Sequence, residues 1–158
     1  MRSGVLGGVL LVGVIGLACG EPGGESATAV PEASGSRSAK LVWASDWDDA
    51  FARAKRDDRV VMAEFYADWC IWCKRLESTT FADPGVVGLL GDRAVAVKVD
   101  GEREGRVLAG RFRVDGYPTI VFLSPDQEEI GRVPGYLEPA DFIEAVRGWL
   151  GEPPASGA

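Results

Sequence analysis

The chain has no histidine, and only three of its 158 residues are cysteine. The first absence removes every acid–base scheme that runs on imidazole, including Ser-His-Asp and Cys-His arrangements. The second removes ordinary structural zinc sites, which need four Cys or His ligands, because one Cys-x-x-Cys supplies only half of them. A metal site completed by carboxylates, or shared between two chains, stays open. Positive charge is also scarce, with 17 Lys and Arg against 24 Asp and Glu, a formal net charge of −7. Such acidity suits neither phosphate backbones nor anionic lipid surfaces, so no nucleic-acid partner is expected. No internal repeat appears. What remains for chemistry is cysteine and carboxylate.

Long apolar runs are equally few. The one that stands out, from Ser3 to Gly20 after Arg2, is uncharged but holds six glycines. One basic residue, a short apolar region and small residues before a break form the pattern of a secretory signal. The stretch is marginal for a bilayer span, although a retained anchor is the alternative. Ile15-Gly16-Leu17-Ala18-Cys19 resembles a relaxed bacterial lipobox, with Gly16 where leucine is favoured. That resemblance implies that Cys19 is lipidated and becomes the mature N-terminus; plain signal cleavage is the competing reading. Lipidation of Cys19 leaves an even pair, Cys70 and Cys73, for an oxidising compartment.

The expected organisation is a lipoprotein-type signal at 1–18, then the lipidated cysteine and a flexible linker at 19–40. A folded domain at 41–150 and a loose tail at 151–158 follow. The linker is rich in Gly, Ser, Ala and Pro and nearly lacks large apolar side chains, so it cannot offset its own ordering entropy.

Within the domain, Ser45 and Asp48 suggest a capping box opening a helix whose inward residues are Trp47, Ala50, Phe51 and Ala54. Arg59–Ala67 is a near-continuous apolar run and reads as a buried central strand. Helical character resumes at Ile71, and Asp83-Pro84 opens another short helix. Ala94–Val99 is a second buried strand. A helix is expected over Glu102–Phe112 with Val107, Leu108 and Phe112 inward. Thr119–Leu123 and Glu129–Val133 form a hairpin around Ser124-Pro125-Asp126. Pro139 starts a closing amphipathic helix. This alternation predicts an α/β fold with a central mixed sheet flanked by helices on both faces.

The chemistry-bearing stretch is EFYADWCIWCKRLESTTF, Glu64 to Phe81. If a strand ends near Ala67 and a helix begins at Ile71, Cys70 falls at a helix N-terminus. Unpaired backbone N–H groups and the helix dipole stabilise a thiolate there, lowering its pKa below the free value near 8.5. Cys73 lies one turn later on the same face, more buried and within reach of a disulfide. In that arrangement Cys70 is the nucleophile and Cys73 resolves the mixed disulfide. A staple role fails on magnitude, because a disulfide stabilises mainly by closing a long loop and this one is very short.

Strand, Trp69-Cys70-Ile71-Trp72-Cys73-Lys74, and a later Gly116-Tyr117-Pro118-Thr119 before a strand resemble thioredoxin-like proteins. The stretch FYADWC, the following CK and the later TFADP are most similar to the C-terminal periplasmic domain of the interchange protein DsbD and related small thioredoxin-like lipoproteins. The likeness covers roughly Ala44 to Leu150. It implies a thioredoxin fold, a cis peptide before Pro118 packed against the cysteines, and a Cys70–Cys73 disulfide. It also implies a buried acid six residues before the first cysteine. Glu64 stands there in place of the usual Asp and is the candidate proton acceptor.

The family lysine near that acid lands on Ala96, with Lys98 two places off. Trp69, Trp72, Tyr66 and Tyr117 are candidates for a substrate contact surface, joined by Thr119. Asp68 and Lys74 read equally well as solvated charges. The implied activity is protein-disulfide reduction in the cell envelope, on its periplasmic or outer-surface side. Disulfide-containing envelope proteins would be substrates and a membrane thiol-electron carrier the donor, with the protein a lipid-anchored monomer needing no cofactor or metal. The alternatives are an oxidase or isomerase, and a Cu(I)-binding or adaptor module on the same fold.

Overall fold

The computed structural model describes residues 40–151. The expected signal at 1–18, Cys19, the linker up to residue 39 and the tail from residue 152 lie outside the described residues. Five helices and four strands follow in the order α1 (Trp47–Asp57), β1 (Val60–Tyr66), α2 (Ile71–Ser78), α3 (Pro84–Gly91), β2 (Ala94–Asp100), α4 (Arg106–Arg111), β3 (Thr119–Leu123), β4 (Glu129–Pro134) and α5 (Pro139–Arg147). Short 3-10 turns occupy Thr80–Ala82 and Gly148–Leu150.

The sheet order is β2-β1-β3-β4. β1 runs parallel to β2, antiparallel to β3, and β3 runs antiparallel to β4, giving the expected mixed sheet. A parallel connection needs a crossover, which α2 and α3 supply, whereas the turn after Leu123 needs no helix. Trp43 adds one parallel bridge to Ala96 on the outer side of β2.

Alternation along β1 divides the core. Val61, Ala63 and Phe65 pack with Val95, Val97, Val121, Phe51 of α1 and Phe112 on one face. Met62 packs with Ala96, Ile120, Phe122, Leu76 of α2, Leu90 of α3 and Phe142 of α5 on the other. Glu64 has the parity of Met62 and therefore belongs to the face that α2 covers.

Two expectations are corrected. The α1 cap sits one residue later than predicted: Asp46 accepts from the Asp49 amide, and Asp49 in turn accepts from the Ser45 amide. Both are the short carboxylates that an N-cap favours, so the reciprocal pattern shifts without changing its logic. The helix expected from Glu102 begins only at Arg106, because the Asp100 carboxylate accepts from the Glu102 and Arg103 amides and holds that stretch in turns. The later start rotates the register, leaving Val107 82% exposed while Ala109 and Phe112 face the core.

Candidate redox site

Cys70 is the N-cap residue of α2, and its Sγ accepts from the Cys73 amide at 3.0 Å. An N–H aimed at sulfur from the positive end of a helix is the arrangement that favours thiolate. Cys70 and Cys73 are joined as a disulfide, so the structure holds the oxidised state. Both cysteines are buried, and the expected contrast between an open and a shielded sulfur is slight. Ala67 completes their cluster, with Tyr66 and Tyr117 packed against it.

The Tyr117–Pro118 peptide is cis, as the sequence resemblance implied. Thr119, a candidate contact residue, is buried, and its hydroxyl donates to the Gly116 carbonyl at 2.7 Å. It braces the loop from within. Trp69 and Trp72 do form open aromatic surface, at 68% and 51% exposure. Trp69 is oriented by an indole N–H bond to Glu102 at 2.9 Å and an edge contact with Tyr117 at 6.2 Å. Asp68 pairs with Arg103, which also reaches Asp100.

On the sheet face that α2 covers lies Glu64, fully buried, with both carboxylate oxygens lacking hydrogen-bond partners among the described residues. Burial pushes its carboxyl up to about 8, partly offset by the positive charge of Lys98 and reinforced by the negative charge of Glu77. Lys98 is the direct partner of Glu64 across β1 and β2, and it binds Glu77 of α2 at 2.5 Å. Acid, lysine and second acid thus share one face of the sheet. A carboxyl titrating near neutrality is poised to take a proton from a thiol of similar pKa.

Residues that sequence reasoning passed over complete the surroundings. Arg75, Tyr136 and Glu138 gather beside Trp72, although Glu138 lies 63 residues after Arg75. Their only advance signal was a lone aromatic after Gly135, in a position no periodicity accounts for.

A thioredoxin-like domain model matches residues 47–148. The chain is 35% identical over 130 residues to thiol:disulfide interchange protein DsbD of Ralstonia nicotianae, covering 80% of this chain and 21% of that protein. It is 37% identical over 99 residues to the DsbD of Salmonella typhi, covering 60% and 17%. The chain therefore spans about a fifth, or less, of these curated relatives. Among solved structures, a thioredoxin from Thermus thermophilus superimposes with TM-score 0.64 at 36% identity, over 70% of this chain and 88% of that one. The C-terminal domain of Neisseria meningitidis DsbD in the oxidised form gives 0.52 at 26%, over 60% and 84%.

Proposed function

The chain belongs to the thioredoxin-like domain family, and from that premise we propose that it is a thiol:disulfide oxidoreductase acting as a reductant of disulfides in cell-envelope proteins. The observation that carries the reading is the Cys70–Cys73 disulfide at the N-terminus of α2, in a buried cluster packed against Tyr117, with the buried Glu64 on the strand that leads into it. In the reduced enzyme the Cys70 thiolate attacks one sulfur of a partner disulfide and expels the other as thiolate. Cys73 passes its proton to Glu64, attacks Cys70 and releases the second partner sulfur. Two electrons move to the partner, and the enzyme is left in the oxidised state described above.

The direction rests on the residues between the cysteines. Ile71-Trp72 offers no cationic side chain to over-stabilise the thiolate, and among the described residues the N–H group on Cys70 Sγ is that of Cys73 alone. Stabilising the reduced form makes a dithiol oxidising, so a site with the helix N-terminus but no added cation lies on the reductant side. The kinship with DsbD supports a membrane thiol carrier as electron donor. The Ser3–Gly20 stretch and Cys19 support export with a lipid anchor, and the domain works as a monomer tethered by the linker.

Equilibration of the Cys70–Cys73 couple in graded thiol/disulfide buffers, read by thiol trapping, tests this. A potential near −270 mV, about that of thioredoxins, is expected. A value toward about −120 mV makes the protein an oxidant and overturns the direction. Failure of insulin-disulfide reduction by the wild type, or its survival in Cys70→Ser, overturns the chemistry.

A further inference from the structure

The segment Gly135–Glu138, which joins β4 to α5, is fastened to α2 by side chains that the redox pair does not use. The Arg75 guanidinium lies 5.6 Å from the Trp72 ring centroid and 5.1 Å from that of Tyr136, and the two rings are 5.6 Å apart. Arg75 also reaches Glu138 at 3.4 Å. The Tyr136 hydroxyl sits 3.2 Å from Thr79 Oγ1, and Thr80 Oγ1 donates to the Leu137 carbonyl at 2.6 Å. On its other side the Gly135 amide donates to the Pro118 carbonyl at 2.8 Å. The segment thus straps the helix that carries the cysteines to the loop that faces them. Between them runs a groove of about 340 Å³ walled by Trp72, Tyr117, Pro118, Gly135 and Tyr136.

The groove is continuous with the redox site, because Trp72 lies between the two cysteines in sequence and Tyr117 packs against the cluster that holds both. A partner disulfide that reaches Cys70 must carry its neighbouring residues across these rings. The walls are three aromatic rings, a proline and glycine backbone. The positive charge beside them is already engaged by both rings and by Glu138. Such a slot gains from an apolar side chain and offers nothing in exchange for desolvating a charged one. A cation held on a ring face also restrains a tryptophan that would otherwise reorient freely at its exposure.

Resting on the reading that this chain exchanges disulfides, we propose that Arg75 is a specificity-determining residue: shared by Trp72 and Tyr136, it sets the geometry of a slot that takes an aromatic or branched apolar side chain beside the partner's cysteine.

The test uses the reduced full-length chain and two synthetic disulfide peptides that differ only in Phe or Ser next to the cysteine. Hydroxyethyl disulfide serves as a probe too small to fill the slot. The wild type prefers the Phe peptide by about tenfold in kcat/KM, expressed mainly in KM. Arg75→Ala reduces the preference to about threefold or less, Arg75→Lys restores most of it by returning a cation, and Tyr136→Leu behaves like Arg75→Ala. A wild type that treats the peptides alike, or an Arg75→Ala protein that keeps the full preference, overturns the proposal. A wild type that reduces all three probes equally overturns the slot alone. One that reduces none of them overturns the redox reading and the slot with it.

Discussion

Glu64 and Lys98 face each other as register partners across the parallel pair β1–β2, and the lysine reaches past the buried acid to bind Glu77 on α2. A carboxyl that no hydrogen bond satisfies among the described residues therefore faces a charge pair that is itself partly exposed. This makes the protonation of Glu64 a property of the fold as well as of the redox site.

Stability of the oxidised protein should fall with rising pH between about 4.5 and 8. The unfolded glutamate titrates near its ordinary 4.5, whereas the folded one holds its proton up to about 8. Across that window the native state binds a proton that the unfolded chain has released, so stability is fully present below the window and lost through it. At about 1.4 kcal/mol per unit the loss amounts to a few kcal/mol. Glu64→Gln keeps the shape and removes the titration. Urea unfolding at pH 5 and pH 8.5 should find the two proteins alike at the lower pH and the variant more stable at the higher. A variant that retains the wild-type slope would place the titration elsewhere.

Lys98→Met should raise the Glu64 pKa further. The lysine charge is the influence that pulls this carboxyl down, and without it the negative charge of Glu77 acts unopposed. Titration of the Glu64 side-chain carbon by NMR should show the midpoint moving to higher pH in the variant. A midpoint that stays or falls would mean that Lys98 does not act on Glu64 through charge.

Cys73→Ser should trap partners. The nucleophile and its helix N-terminus survive this change, so Cys70 still forms a mixed disulfide, but no second sulfur remains to resolve it. Mass spectrometry of the variant after exposure to a disulfide peptide should show a covalent one-to-one adduct that dithiothreitol releases. Cys70→Ser should give no such adduct. An adduct from Cys70→Ser and none from Cys73→Ser would reverse the assigned roles of the two sulfurs, and equal adducts would remove the distinction between them.

Much of this was open to sequence reading because it is local. The apolar run Val60–Tyr66 announces a buried strand, and a carboxyl at its fifth position is buried with it. The strand–helix junction places Cys70 at an N-cap for the same reason. Lys98 looked two places out of register with the family lysine, yet two residues along a strand preserve the face, which is why it still meets Glu64. Val107 was misplaced because the Asp100 carboxylate captures backbone amides that a helix from Glu102 would have used. The Arg75–Tyr136–Glu138 group was invisible because it depends on how β4 returns toward α2, a tertiary fact with no period of its own.

Gly101→Ala should disturb the redox site from behind. Gly101 is fixed by its amide bond to the Tyr66 carbonyl at 2.9 Å, and an added Cβ would be driven into the Tyr117 ring and hydroxyl. The backbone on that side is also held by the Asp100 carboxylate, so the ring must give way. Tyr117 packs against the cluster of Ala67, Cys70 and Cys73 and against Trp69, so its displacement loosens the contact surface along with the core. We expect a loss of about 1–3 kcal/mol in urea unfolding, the usual cost of overpacking, together with slower insulin-disulfide reduction. Gly110→Ala is the matched control. Nothing lies within 4 Å of its added Cβ, it sits inside α4, and helix propensity alone should make it neutral or stabilising by up to about 1 kcal/mol. If Gly101→Ala behaves like this control in both stability and turnover, Tyr117 has room to move and the loop behind it does not position the site.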